Sequence, residues 1–311
     1  MTPSFPIKIK RGSVSGIFGF NMRILVFGKT GQVGYGLSKD LEGVGSVRCV
    51  GREEADLSDL ASVENTIQKE RPDIVINAAA YTQVDQAESH AELANLINAE
   101  APEVMAEMTA ANGAWLIHYS TDYVFDGESG SPYTEDMVSC PGNVYGVTKS
   151  SGESAIMRAT ARYVILRTSW VYSNRGRNFL NTVLRLANER RVLRIVDDQR
   201  GTPTYSRALS TNTAKIITQL SRNLDNPDMA GVFNMTCRGT ATWYDFAKEI
   251  LQCAGIENVR IEPVSTSEFP TPAKRPQFSV LDNSKLEHIY GLRLPRWQDS
   301  LKECLAQRAS T

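Results

Sequence analysis

The sequence predicts an α/β fold, a doubly wound parallel sheet followed by a smaller C-terminal domain. Three observations carry this prediction. Short apolar runs alternate with helical stretches through the first half of the chain. That order gives parallel strands with helices on both faces. A glycine-rich turn joins the first apolar run to the first helical stretch. After about Thr168 the alternation loosens, and Pro263 to Pro276 is rich in proline, serine and threonine.

The elements follow in order. Arg23–Phe27 is a short apolar run ending in glycine, a buried strand. A helical pattern runs from Gly31 to Leu41, and Val47–Val50 is a second strand. Leu60–Lys69 reads as a helix stopped by Pro72, and Ile74–Ile76 as a third strand. Ala91–Asn112 is a long helical stretch interrupted near Pro102, with Gly113 as its stop. Trp115–Tyr119 is a fourth strand, Val144–Arg158 a helix and Tyr163–Leu166 a fifth strand. Beyond these, helices are expected at Asn178–Asn188, Leu209–Ser221 and Trp243–Cys253, and strands at Leu193–Val196 and Val232–Met235. The expected division is a nucleotide-binding domain over 22–170 and a mainly substrate-binding domain over 171–311, with segments returning to the sheet. Residues 1–21, with three basic side chains, two prolines and several glycines, read as a flexible extension before a natural start near Met22.

Composition narrows the function classes. Of 311 residues, 41% are hydrophobic and 22% charged, the balance of a soluble globular protein. The net charge of -1 gives no bulk attraction to nucleic acid or to an anionic membrane. No apolar run approaches the roughly 18 residues of a membrane span. The five cysteines are scattered without a CxxC pair, and His90, His118 and His288 are isolated. Neither a disulfide framework nor a metal site is expected, and a cytoplasmic location fits best.

Gly28, Gly31 and Gly34 stand in a GxxGxxG turn between the first strand and the first helix. Such a turn lets backbone approach a pyrophosphate, which then meets helix N–H groups and the positive end of the dipole. This is the Rossmann-type arrangement. The end of the second strand decides between NAD and NADP, an acid suiting a ribose hydroxyl and a basic residue a 2′-phosphate. Gly51 occupies the place of the acid and Arg52 follows. A guanidinium suits phosphate, so NADPH is the expected cofactor. NADH is the alternative, because Glu53 or Glu54 could serve the ribose. Asp56 and Leu57 would lie near the adenine. Asn77-Ala78-Ala79-Ala80-Tyr81 follows the third strand, with small side chains that let a nicotinamide lie against the strand end.

Ser120-Thr121-Asp122-Tyr123 ends the fourth strand, on the side where open α/β sheets bind ligands. A hydroxyl there can hydrogen-bond a carbonyl oxygen. On the following helix Tyr145 stands four residues before Lys149, a spacing that puts both on one face about 5–6 Å apart. A free tyrosine has a pKa of about 10. A neighbouring ammonium should move it toward the working range of an acid–base catalyst.

Taken together, these motifs resemble the extended short-chain dehydrogenase/reductases, and within them the dTDP-4-dehydrorhamnose reductase family. The resemblance runs from Met22 to about Leu305. It is carried by Phe27 to Gly34, Arg71-Pro72-Asp73 with Asn77 to Ala80, His118 to Phe125, Asn143 to Gly146 and Arg167 to Tyr172. It continues through Asp198-Gln199 with Gly201, Pro203 and Thr204, then Thr240 to Tyr244 and Pro270 to Pro276. It implies reduction of the 4-keto group of a dTDP-sugar. Tyr145 would give the proton to the keto oxygen, Lys149 would hold the nicotinamide ribose and tune Tyr145, and Thr121 would hydrogen-bond the oxygen or the tyrosine. Asp122 and Trp170 would contact the sugar nucleotide. Gly31, Gln32, Val33, Ala80, Tyr81 and Thr82 would line the cofactor. Arg275, in a proline-bounded segment, is expected to meet the diphosphate, since guanidinium matches phosphate bidentately. Two departures stand out. Ser150-Ser151 replaces an expected apolar pair, and Tyr81 replaces a histidine or another polar residue. A 4-epimerase, a dehydratase, a different 4-ketoreductase and a non-catalytic regulatory subunit of the same fold are the rival readings. Tyr123 rather than an acid after Asp122 counts against the dehydratase. A homodimer is compatible with the sequence.

Overall fold

The structure is a computed structural model describing residues 22–223 and 226–309. The reading of residues 1–21 lies outside them.

The strands of the first half are β1 (Arg23–Phe27), β2 (Ser46–Val50), β3 (Ile74–Asn77), β4 (Trp115–Thr121) and β5 (Tyr163–Thr168). Between them run α1 (Gln32–Asp40), α2 (Leu60–Glu70), α3 (Val84–Ala87), α4 (Ala91–Asn95), α5 (Ala101–Asn112) and α6 (Val144–Ala159). The second half holds β6 (Val171–Tyr172), α7 (Phe179–Glu189), β7 (Val192–Val196), β8 (Arg200–Gly201), β9 (Thr204–Tyr205) and α8 (Ser206–Leu220). It continues with β10 (Gly231–Asn234), β11 (Ala241–Thr242), α9 (Trp243–Cys253), β12 (Arg260–Val264), α10 (Ser284–Tyr290) and α11 (Trp297–Ala309). The main sheet has six strands in the order β10-β5-β4-β3-β1-β2, every pair parallel. This is the predicted α/β fold. β3 and β4 are buried along their whole length, as strands covered by helices on both faces must be. β10 is contributed from the second half and pairs with β5.

Local chemistry explains the boundaries. Asp59 caps α2 by accepting from the Ser62 N–H, and Arg71 closes it in the left-handed region at φ 45°. The expected break near Pro102 is not one. α4 passes into α5 through a π-helical segment, Leu96–Glu100, and Pro102 sits at the start of α5. Proline is tolerated in a first turn, where its missing N–H costs nothing. The alternation pattern shows no sign of α3, α10, α11, β12 or the two-residue strands, which are held by tertiary contacts rather than by period.

The carboxyl edge of the sheet depends on β4 and β5 being in register. Asn77 lies beside His118, Ser120 beside Arg167 and Thr121 beside Thr168. These polar side chains therefore line up across the carboxyl ends of three strands, beneath α6.

Candidate active site

The glycine turn is built as expected. Gly28 has φ 92°, and a Cβ there would sit 2.7 Å from the Ala78 carbonyl. Only glycine fits between that backbone and the turn. Gly31 is the N-cap of α1 and offers no side-chain bond to the helix N–H groups. The first turn of α1 borders a cleft of about 580 Å³. The cleft is lined by Gly28, Gly31, Gln32, Val33, Arg52, Asp56, Leu57, Ala78, Ala79, Ala80, Thr82, Tyr145 and Lys149. Gly34 and Tyr81 are not in its lining. A Cβ on Gly34 would lie 2.0 Å from the Gly28 oxygen, so this glycine packs the helix onto the turn. Tyr81 forms a small buried cluster with Ala87 and Ala94, against which Tyr145 packs, and its hydroxyl meets His90 Nδ1 at 3.0 Å. Gly51, Thr30, Ser120, Thr168, Val171 and Arg177 also line the cleft. Arg177 comes from a loop beyond the expected cofactor half, which sequence alone does not bring near.

The candidate 2′-phosphate region is crowded with ions. Arg52 pairs with Asp56 at 2.9 Å on the surface. Glu54 accepts from the Gly51 N–H at 3.0 Å and pairs with Arg48 and Lys29. The Gly51 N–H and these cations keep the Glu54 carboxyl below its ordinary range. Glu54 is thus committed to its own loop.

At the sheet edge, Asn143 caps α6 by accepting from the Gly146 N–H. A Cβ on Gly146 would lie 2.1 Å from the Tyr123 oxygen, so the helix start lies directly on the strand-four loop. Tyr145 and Tyr123 meet edge to face at 5.7 Å. Burial pushes the Tyr145 phenol up to about 12; interaction with the Thr121 hydroxyl opposes this and the Asp122 charge adds to it. The expectation that Lys149 lowers the phenol is corrected. Lys149 Nζ is directed elsewhere, donating to the Tyr119 carbonyl at 2.6 Å and meeting His118 Nε2 at 2.9 Å. Lys149 is only 1% exposed, and burial lowers it to about 8 against the opposing charge of Glu153.

Beneath Lys149 lies a network whose members the sequence did not single out. Glu153 is one further turn along the same helix face. It accepts from the Ser120 hydroxyl and is held by the Arg167 guanidinium, with N–O distances of 2.6 and 3.0 Å. The signal that could have found it is its spacing, i+8 from Tyr145.

Of the proposed substrate residues, Tyr145 lines the cleft, whereas Thr121, Asp122, Trp170 and Arg275 lie outside its lining. Asp122 is buried and burial pushes it up to about 6, partly offset by Ser279 and Thr121. Its Oδ1 accepts from Thr121 at 3.0 Å, and its Oδ2 has no hydrogen-bond partner among the described residues. Trp170 adopts φ 47° and stacks on Trp243 at 3.5 Å. A bulky residue in that region marks a locally strained turn. Arg275 pairs with Asp85 at 2.8 Å and is close enough to Tyr123 to influence its phenol. Its loop is tied to α6, because Asn143 Nδ2 donates to the Lys274 carbonyl at 2.8 Å. Among the described residues no His/Cys/Asp/Glu cluster could hold a metal.

The chain is similar to known proteins along nearly its full length. Residues 22–310 match the family model of the RmlD substrate binding domain. A dTDP-4-dehydrorhamnose reductase of Escherichia coli K12 is 42% identical over 299 residues, covering 93% of this chain and 99% of the relative. A crystal structure of a dTDP-4-dehydrorhamnose reductase from Clostridium acetobutylicum superposes with a TM-score of 0.87 at 38% identity, over 93% of this chain and all of that one. The enzyme of that name from Bacillus anthracis, solved in complex with NADP, gives 0.86 at 34% identity, over 92% of this chain and 99% of that one. The chain belongs to the RmlD substrate binding domain family.

Proposed function

We propose that this chain catalyses the NADPH-dependent reduction of dTDP-4-dehydro-β-L-rhamnose to dTDP-L-rhamnose in the cytoplasm, with NADH as a second cofactor. The observation that carries the reading is the convergence of Tyr145, Thr121 and Asp122 at the end of a dinucleotide-sized cleft.

A dinucleotide fits the turn. The uncapped N–H groups of α1 and the close backbone at Gly28 suit a pyrophosphate. When bound, the reduced nicotinamide would supply a hydride to the sugar C4. Tyr145, protonated throughout the neutral range because burial raises it, gives its proton to the oxygen on which charge develops. Thr121 donates a hydrogen bond to the same oxygen or holds the phenol. Lys149 holds the ribose and offsets the phenolate left behind. Asp122 offers its unpartnered Oδ2 to a sugar hydroxyl. Arg275 exchanges Asp85 for the diphosphate, and Trp170 walls the sugar.

Three predictions follow from these roles. NADPH should show a lower KM than NADH, and Arg52→Ala should narrow the gap; equal KM values in the native chain would remove Arg52 from phosphate recognition. Arg275→Ala should raise the KM for the sugar nucleotide and leave NADPH affinity unchanged. An unmoved KM would refute the diphosphate contact.

Asp122→Asn should trade binding for stability. The folded protein holds this carboxyl above its unfolded value, so it binds more protons folded than unfolded between roughly pH 4 and 6. Stability therefore falls as pH rises through that window. The amide removes the buried charge, and its gain at pH 8 should be on the order of 1–3 kcal/mol, vanishing below pH 4. Denaturant melts at both pH values measure this. A gain that persists at low pH would show that charge burial is not its cause.

The activity itself is tested by NADPH oxidation on adding the 4-keto dTDP-sugar to purified protein. Net oxidation is expected. NAD retained through purification, with sugar interconversion and no net oxidation, would instead favour a 4-epimerase.

A further inference from the structure

His118 has no part in the chemistry above, yet it is 1% exposed and faces the side chains of Lys149 and Asn77. Its Nε2 lies 2.9 Å from Lys149 Nζ and its Nδ1 lies 3.1 Å from Asn77 Nδ2. The orientation of the Asn77 amide is fixed independently, because its Oδ1 accepts from the Ala79 backbone N–H at 3.1 Å. Its Nδ2 is then the group facing His118, and an amide nitrogen can only donate. His118 Nδ1 must therefore accept. A neutral imidazole has one N–H, which is left on Nε2. Protonating the ring is disfavoured by burial and by Lys149.

The Nε2–H points at Lys149 Nζ. One hydrogen bond holds one hydrogen, so at 2.9 Å the lysine nitrogen is the acceptor. A lysine nitrogen accepts only as the neutral amine. Its own hydrogens remain free for the Tyr119 carbonyl. An ammonium in this place would set two N–H groups against each other, or force the histidine tautomer and the Asn77 amide to turn together. Burial of Lys149 acts in the same direction. The other groups facing Lys149 do not reverse this. Tyr145 and Glu153 share its helix face, and Glu153, which favours the ammonium, is neutralised by Arg167 from β5.

We infer that the Asn77–His118 pair holds Lys149 as a neutral amine, so that Lys149 takes up a proton from solvent when NADPH binds. The inference rests on the proposed function for the identity of the ligand. Binding an anionic dinucleotide beside Lys149 favours the ammonium, and ribose oxygens give that ammonium acceptors. Ketone reduction consumes one proton per turnover. On this account that proton enters with the cofactor, before the sugar arrives. Tyr145 then gives its phenolic proton to the substrate oxygen, and its phenolate is formed one helical turn from a lysine already charged; when the oxidised cofactor leaves, Lys149 returns to the amine and the proton it releases restores the phenol, so one proton is consumed per turnover. His118 is a positioning residue, acting through Lys149.

The test is a proton count. Native protein in weakly buffered solution at pH 8.5, with a pH indicator, is mixed with NADPH and no sugar. The 2′-phosphate is fully ionised there and takes up nothing. Uptake of more than about half a proton per bound cofactor is expected, and NADH should give the same. Asn77→Asp keeps the shape but offers an oxygen to His118 Nδ1–H, which turns Nε2 into an acceptor for the ammonium. It should bind NADPH with at least a two-fold smaller uptake, as should His118→Phe, and Lys149→Met should show none. Native protein that binds NADPH without proton uptake would overturn the inference, as would an Asn77→Asp uptake equal to the native one. If NADPH does not bind at all, the proposed function fails instead, and titration of cofactor fluorescence separates the two results.

Discussion

Tyr145→Phe should lower kcat by about 100-fold or more, with NADPH still bound at native affinity. The substitution removes one oxygen and keeps a ring that meets Tyr123 and packs against the cluster of Tyr81, Ala87 and Ala94, so the fold should survive. The expected loss is that of a general acid, whose contribution is about 10²–10⁴-fold. The remaining turnover would come from positioning and from the Thr121 hydroxyl. Lys149→Ala should also lower kcat and in addition weaken cofactor binding, while Thr121→Val should cost less than either. Single-turnover measurements with the 4-keto sugar nucleotide separate chemistry from product release. A Phe variant that reduces the sugar at the native rate would remove Tyr145 from the mechanism.

The largest stability effect should come from Arg167→Met. Arg167 and Glu153 are 5% and 2% exposed, and their charges are joined at 2.6 Å beneath Lys149. Removing one member of a buried pair leaves the other uncompensated, at a cost of about 3–5 kcal/mol. Glu153 would then also lie unopposed beside Lys149. Combining Arg167→Met with Glu153→Gln should recover most of the loss, because no net buried charge remains. Urea denaturation of the native chain and both variants measures this. A single variant within about 1 kcal/mol of native would show that the pair is not what holds β5 to α6.

How much of this was legible in the sequence depends on the physical origin of each feature. The sheet was legible because buried strands are apolar runs and helices have their own period, as at Arg23–Phe27 and Trp243–Cys253. The glycine turn was legible because Gly28 has no substitute where the Ala78 backbone approaches. Pro102 misled, since it falls in the first turn of α5, directly after the π-helical segment Leu96–Glu100, where proline is tolerated. Gly34 and Tyr81 were placed on the cofactor because they neighbour residues that do line the cleft; the close backbone packing at Gly34 and the direction of the Tyr81 side chain are tertiary facts that sequence order does not reveal. The Tyr145–Lys149 spacing gave the helix face correctly but not the lysine's partner. That partner, His118, is brought to it by the packing of α6 on β4, a long-range fact. Glu153 and Arg167 were missed for the same reason. Nothing local distinguishes a buried ion pair from a surface one.

On the proposed function, a hydride is delivered to C4 of a 4-keto dTDP-sugar under the control of Tyr145. That delivery is tested most directly with NADPH carrying deuterium at the transferable position of its nicotinamide. Native protein should convert dTDP-4-dehydro-β-L-rhamnose to dTDP-L-rhamnose with one deuterium, located at C4 by NMR. Cofactor that binds but transfers no deuterium, or deuterium found at another carbon, would contradict the account.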